Sequence, residues 1–156
     1  MTHSDEPGAR YWSLVEPICE KISIYDGPKV FVRQFRAAPR AAASLLAAHW
    51  CQSEVCNGGL DQFFSNSTGV LAPEALEAYR AMGLGEWADI LAEAMRFFGE
   101  PYPRECQLRE VKLSVGDRSV RRSRFEALNQ RFYDWVNAED CRWERAADRY
   151  AELHGA

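Results

Sequence analysis

Apolar residues spaced three or four positions apart, between glycine and proline breaks, constrain this chain to a helical fold. The clearest segment is residues 39–55, in which one helical face carries Ala41, Leu45, Ala48, Gln52 and Val55. Pro39 suits a first helical position, and the alanine-rich start lets another helix approach closely. The helix should close at Asn57-Gly58-Gly59, where a glycine adopts a left-handed conformation at low steric cost.

The same spacing recurs along most of the chain. It predicts further helices near residues 11–24, 29–36, 73–83, 85–98, 125–136 and 143–153. Residues 101–118 differ, because Val111, Leu113 and Val115 alternate with polar residues. A single strand would have no partner, so we predict an ordered loop there. The expected fold is all-α: one compact multi-helix domain of about six to eight helices over residues 11–156, after a flexible N-terminal tail at residues 1–10.

Hydropathy and cysteine usage indicate in which cellular compartment the protein is expected. No apolar run approaches the roughly 20 residues that cross a bilayer, and residues 1–10 lack the apolar core of a signal peptide. Five scattered cysteines are poor material for a disulfide framework. We therefore expect a cytoplasmic protein that does not associate with membranes.

The charge is unevenly distributed. Residues 37–100 carry eight acids and three bases, whereas the whole chain has a net charge of −4. This balance disfavours direct nucleic-acid binding. The basic run of Arg118, Arg121, Arg122 and Arg124 leaves an alternative open, since arginines can contact phosphate, although a solvated face or an intramolecular partner for the acidic helices is the commoner explanation.

The most specific segment is residues 54–69, which pack amides, hydroxyls and glycines around an aromatic pair. Its candidate site residues are Glu54, Asn57, Gly58, Gly59, Gln62, Phe63, Phe64, Asn66 and Ser67. One hypothesis is a polar pocket that grips a ligand or a partner's backbone. The other is structural: amides and a carboxylate would cap helix ends and hold the turn, because unpaired buried polar groups are costly.

This segment resembles the hallmark of a bacterial family of helical domains named for a DNA-mimic protein. The resemblance lies in Glu54, Asn57-Gly58-Gly59, Gln62-Phe63-Phe64 and Asn66-Ser67-Thr68-Gly69, and it extends over residues 11–154. Leu60 departs from the family pattern, which usually has an aromatic residue there. The resemblance implies an all-helical fold and a protein partner, since the name-giving member binds a transcription factor in place of DNA.

A mimic of DNA needs carboxylates spaced like phosphates. The candidate partner-binding face consists of acids on or beside the two helices around Gly83, namely Glu74, Glu77, Glu86, Asp89 and Glu93. Arg80 and Arg96 interrupt this face. We expect contact with a protein, most plausibly a DNA-binding one, through these acids.

Catalytic and metal sites find little support in the sequence. His49, Cys51 and Cys56 lack a second pair of ligands at zinc spacing, and no nucleophile has an evident base. Glu139 and Asp140 resemble first-turn charges of the last helix more than an acid–base pair. We expect a non-enzymatic protein without metal or cofactor; the alternative is a small-molecule-binding domain or unrecognised enzyme that uses Glu54, Asn57, Gln62 and Asn66.

Overall fold

The computed structural model describes residues 6–137 and 142–155, and every regular element in these ranges is helical. The α-helices are α1 (Ala9–Cys19), α2 (Pro28–Ala37), α3 (Arg40–Ser65), α4 (Ala72–Ala81), α5 (Gly85–Met95), α6 (Cys106–Ser114), α7 (Arg118–Val136) and α8 (Arg142–His154). Short 3₁₀ turns cover Ile24–Asp26, Ser67–Leu71 and Arg96–Phe98. The predicted all-α single domain of six to eight helices is confirmed. None of the described helices combines the length and apolar character needed to span a bilayer.

Helix α3 is the element around which the others pack. It contacts α1, α2, α4, α6, α7 and α8. The predicted face is largely buried, with Ala41, Leu45, Ala48 and Val55 inside the core, while Gln52 is half-buried. Small side chains in its first half allow these close approaches, so the interpretation of the alanine-rich stretch holds.

Aromatic stacking joins α5, α7 and α8 within the core. Trp87 lies 4.3 Å from Phe132 and 6.1 Å from Trp143, measured between ring centroids. Tyr79 meets the same cluster edge-on, and its hydroxyl donates a 3.0 Å hydrogen bond to the carbonyl of Ala48 in α3. Offset and edge-on aromatic pairs add to the stability gained from burial. The α4–α5 hairpin predicted around Gly83 is thereby fixed to α3 and α7.

The prediction of an ordered loop at residues 101–118 is wrong, because this region contains α6. On that helix Arg109 and Leu113 face inward, while Val111 and Val115 are 59% and 66% exposed. The alternation of Val111, Leu113 and Val115 therefore does not mark a strand. It arises because two of the three apolar side chains point to solvent and the buried position one turn before Leu113 is an arginine.

The start of α1 falls within residues 1–10, which were predicted to be a flexible tail. Helix α1 begins at Ala9 because an aspartate of α8 caps it: Asp148 accepts hydrogen bonds from the backbone N–H groups of Gly8 (2.7 Å) and Tyr11 (2.9 Å). A carboxylate at a helix N-terminus accepts hydrogen bonds from N–H groups that have no partner in the helix, and its negative charge interacts favourably with the helix dipole. Residues 1–5 of the predicted tail lie outside the described residues.

Candidate functional site

The family-like segment begins with a break in α3. Gly58 and Gly59 leave the helical conformation, and Gly59 has φ +78°, the left-handed region expected from the sequence. The helix resumes at Leu60, whose backbone N–H donates a 2.8 Å hydrogen bond to the side-chain oxygen of Asn129 in α7. A Cβ at Gly59 would lie 2.6 Å from the amide nitrogen of Asn129. Glycine is needed here both for its conformation and for this close approach.

Glu54 is the centre of a hydrogen-bonded group that we call the Glu54 cluster: Glu54, Gln62, Asn66 and Thr68. One carboxylate oxygen accepts from the amides of Gln62 (2.7 Å) and Asn66 (3.0 Å), and the other accepts from the hydroxyl of Thr68 (2.9 Å). Gly58 makes room for this arrangement, since a Cβ there would collide with the Gln62 side chain. The cluster ties the two halves of α3 to the loop that follows.

The remaining segment residues do not join this cluster. Asn57 and Ser67 are exposed, and no side-chain hydrogen bond is made by either within the described residues. Phe63 and Phe64 are fully buried, with Phe64 packed 4.6 Å from Phe98 between ring centroids. Leu60, the departure from the family pattern, is also buried. The aromatic pair thus belongs to the core, while the Glu54 cluster connects four polar side chains of the segment by internal hydrogen bonds.

Arg109, which the sequence patterns did not mark, holds the end of α3 and the loop that follows it. Arg109 is completely buried, and its guanidinium donates to the carbonyls of Phe64 (2.8 Å) and Asn66 (2.8 Å). It also donates to the carbonyls of Pro103 and Arg104. Gly69 leaves space for it, because a Cβ there would lie 3.0 Å from the Arg109 Nε. The missed signal is a helical face shared by Cys106, Arg109 and Leu113, which the valine alternation obscured.

The acids of α4 are engaged with the protein's own arginines. Glu74 forms a two-pronged ion pair with Arg104, at 2.8 and 2.9 Å, and both side chains are half-buried. Glu77 pairs with Arg80 on its own helix at 3.0 Å, in an exposed position. Glu74 and Glu77 also line a groove with Arg36 and Arg40, so positive charge surrounds this half of the predicted acidic face.

The acids of α5 are more available. Glu86, Asp89 and Glu93 lie three and four residues apart, which places them along one side of the helix. Arg131 of α7 contacts both glutamates, at 3.8 Å from Glu86 and 3.3 Å from Glu93. Asp89 is exposed and has no ion pair within the described residues. The five predicted acids are therefore divided between two settings: the two on α4 each pair with an arginine, whereas on α5 the two glutamates share Arg131.

Of the three residues considered for metal binding, Cys51 is buried, His49 is half-buried and Cys56 is exposed. Cys51 is fully buried, and desolvation raises its pKa to about 12, so a thiolate is strongly disfavoured. Burial lowers the pKa of His49, whose Nδ1 lies 3.3 Å from the hydroxyl of Tyr11. Among the described residues, no three His, Cys, Asp or Glu side chains are grouped to hold a metal ion. Glu139 and Asp140 lie outside the described residues.

Comparison with known proteins gives one match. The family model described as DMP19-like protein matches residues 36–154, about three quarters of the chain. This range includes the Glu54 cluster and both acidic helices, but not residues 11–35, over which the resemblance had been extended. Neither the curated proteins nor the solved structures yielded a match. By the extent of this match, the chain belongs to the DMP19-like protein family.

Proposed function

We propose that this protein is a non-enzymatic binding protein whose acidic α5 face contacts the basic, DNA-binding surface of a partner protein. We define the α5 face as Glu86, Asp89 and Glu93. The family is one of DNA mimics, which is the first support. The observation that carries the proposal is a row of three carboxylates along one side of α5, in which Glu86 and Asp89 are exposed and Glu93 is half-buried.

The spacing of this row suits mimicry of a nucleic-acid backbone. At about 1.5 Å of rise per residue, the three positions lie roughly 4.5 and 6 Å apart along the helix axis. Phosphates follow one another at about 3.4 Å per strand along a duplex, a spacing of the same order. Arg131 holds the two glutamates from the α7 side, which limits the entropy they lose when a partner binds.

The α4 acids contribute less to this proposal than the sequence had suggested. Glu74 is paired with Arg104, and neutralising it would leave a half-buried guanidinium without its carboxylate. Its replacement would disturb the fold as well as the surface charge. The α5 face can be neutralised without breaking such a pair, since Glu86 and Glu93 meet Arg131 at the surface. The proposed contact surface is therefore narrower than the predicted five acids.

The test compares three baits in affinity capture from native lysate. The wild type is set beside Glu86→Gln/Asp89→Asn/Glu93→Gln and a matched control that neutralises three exposed acids elsewhere, Glu16→Gln/Glu20→Gln/Glu152→Gln. We expect the wild type and the control to capture the same DNA-binding protein, and duplex DNA to displace it. The α5 variant should lose the partner.

Quantitative binding to the purified partner completes the test. Affinity should fall as salt rises, and this dependence should be weaker for the α5 variant than for the matched control, because exposed charges are screened. If the two variants bind equally well, the α5 face is not the contact surface. If the captured partner does not bind DNA, the mimic hypothesis fails even though a protein interaction stands.

A further inference from the structure

A basic groove lies at the opposite end of α7 from Arg131, between that helix, α6 and the last turn of α3. Its volume is about 400 Å³. Its charged lining consists of Asp61, Glu110, Arg118, Arg121 and Arg122. None of these residues belongs to the Glu54 cluster or to the α5 face.

The Arg121 side chain lacks hydrogen-bond acceptors within residues 6–137 and 142–155. Its Nε and Nη1 are buried from solvent, and neither has a hydrogen-bond partner among the described residues. Buried polar atoms are paired in the great majority of cases, so these two nitrogens need an acceptor that the described residues do not supply. The basic run was expected to be a solvated face or a partner for the acidic helices. For Arg121 neither explanation fits, because its nitrogens are enclosed and no carboxylate pairs with them in the described part.

The donors that the groove offers are side chains, because the backbone N–H groups at the start of α7 already have an acceptor. Asp117 already caps α7, accepting hydrogen bonds from the backbone N–H groups of Ser119 (2.9 Å) and Val120 (3.5 Å). The donors left for a ligand are the guanidinium groups of Arg118, Arg121 and Arg122. These arginines stand at positions i, i+3 and i+4 of α7, so their positive charges are concentrated on one side of the helix, and the guanidinium geometry matches oxyanions.

The two carboxylates of the groove restrict the size of the anion. Asp61 and Glu110 leave it with three positive and two negative side chains. A continuous nucleic-acid backbone would bring phosphates against these carboxylates, which is unfavourable. A single doubly charged group avoids them and matches the arginines. We propose that the groove binds one phosphate monoester group, with Arg121 as its principal donor.

NMR titration of the purified full chain tests this directly, through the arginine Nε–H signals. Inorganic phosphate, glycerol 3-phosphate and a phosphoserine peptide are added in turn at constant ionic strength, which is maintained with chloride. The variants are Arg121→Gln and Arg124→Gln; the latter removes the same charge from an exposed position of α7 outside the groove. The two esters distinguish a small-molecule source of the phosphate from a phosphorylated protein.

We expect saturable shifts of the Arg121 Nε–H signal in the wild type. Arg121→Gln should weaken binding by roughly tenfold or more, as loss of charge-assisted hydrogen bonds predicts, and Arg124→Gln should leave it nearly unchanged. A response that does not saturate with any probe overturns the proposal. Equal losses in the two variants would do the same, since they indicate unspecific charge attraction.

A loss of phosphate binding in Arg121→Gln would not be due to unfolding of the protein. The Arg121 side chain makes no hydrogen bond within the described residues, so Arg121→Gln should unfold at nearly the same temperature as the wild type. Arg121→Lys provides a second variant that keeps the charge but lacks the guanidinium. It should bind phosphate more weakly than the wild type, and equal binding by the lysine variant would contradict the assigned role of Arg121.

Discussion

Glu54 and Gln62 are joined by a 2.7 Å hydrogen bond across the Gly58–Gly59 break of α3. The contact connects the first half of the helix with the second, and Thr68 extends it into the following loop. A carboxylate that already accepts three hydrogen bonds from its own chain has little capacity left for a ligand. The cluster is therefore better understood as the element that fixes the turn.

The first prediction concerns Glu54→Gln. The amide that replaces one carboxylate oxygen is a donor, and it would face donors from the cluster. We expect the free energy of unfolding to fall by about 1–2 kcal/mol, the scale of hydrogen bonds to a charged group at a half-buried site. Urea unfolding followed by circular dichroism measures this loss. Glu16→Gln, an exposed acid on α1, is the control and should change little. An unchanged stability combined with lost partner binding would favour the pocket hypothesis instead.

Arg109→Met should be among the most destabilising single changes in this chain. The substitution leaves four carbonyl groups without their donor in the interior, at Pro103, Arg104, Phe64 and Asn66. We expect a loss of about 3 kcal/mol or more, because each buried unsatisfied acceptor is costly. Chemical denaturation measures the loss. Lys112→Met removes a charge from an exposed position of the same helix. If the two variants were equally stable, the guanidinium of Arg109 would not hold the loop.

Gly59→Ala separates backbone strain from steric conflict. An alanine at this position would have to adopt the left-handed backbone conformation, and its Cβ would also collide with Asn129. We expect a destabilisation of about 1–3 kcal/mol, the usual range for strained backbone. Gly83→Ala is the matched comparison, since Gly83 has φ +75° but no atom within 4 Å of its Cβ position. Thermal unfolding should therefore show a larger loss at Gly59. Equal losses would mean that the Asn129 contact adjusts without cost.

The helical architecture was predictable because its signals are local. The breaks at Gly58–Gly59 and Gly83 and the faces of α3, α5, α7 and α8 follow from spacing along the chain. Helix α6 was missed because its apolar residues mostly face solvent. Spacing predicts a helix only where the apolar face is also the buried face.

The pairings of the site could not be read from spacing at all. Arg104 lies thirty positions from Glu74, and Arg131 lies thirty-eight from Glu93. Such contacts depend on how helices cross, which residue order does not specify. The sequence grouped Glu54, Asn57, Gln62 and Asn66 as one set of polar residues; hydrogen bonds join three of them, while Asn57 is exposed and lies outside the Glu54 cluster. It did not reveal that Asn129 and Arg109 complete their surroundings.

His49 predicts a dependence of stability on pH. Burial lowers its pKa in the folded state. As the pH falls through about 6.5, the unfolded chain binds the proton first, so unfolding is favoured. The stability present above that pH is therefore lost on acidification, until the folded-state pKa is also passed. The free energy of unfolding of His49→Gln should fall less than that of the wild type between neutral and mildly acidic pH. His154→Gln, at an exposed site, should follow the wild type, and parallel curves for all three would exclude a role for His49.

Arg131→Gln tests whether the α5 face acts through its charge. Arg131 is the cation between Glu86 and Glu93, so its loss changes the face from two net negative charges to three. The side chains are exposed, and we expect stability to change by no more than about 1 kcal/mol. Association with the partner proposed above should become faster and more dependent on salt, because the field that attracts a basic surface is stronger. Stopped-flow mixing over a salt series measures both quantities.

Arg149→Gln, on the exposed side of α8, removes the same charge far along the chain from α5 and serves as the comparison. A general effect of net charge would accelerate association equally in both variants. A local effect would be confined to Arg131→Gln. If Arg131→Gln instead slowed association, the arginine would act mainly by holding Glu86 and Glu93 in position, and the geometry of the row would matter more than its charge. In that case lysine, which retains the charge but not the fork that reaches two carboxylates, should restore binding only in part.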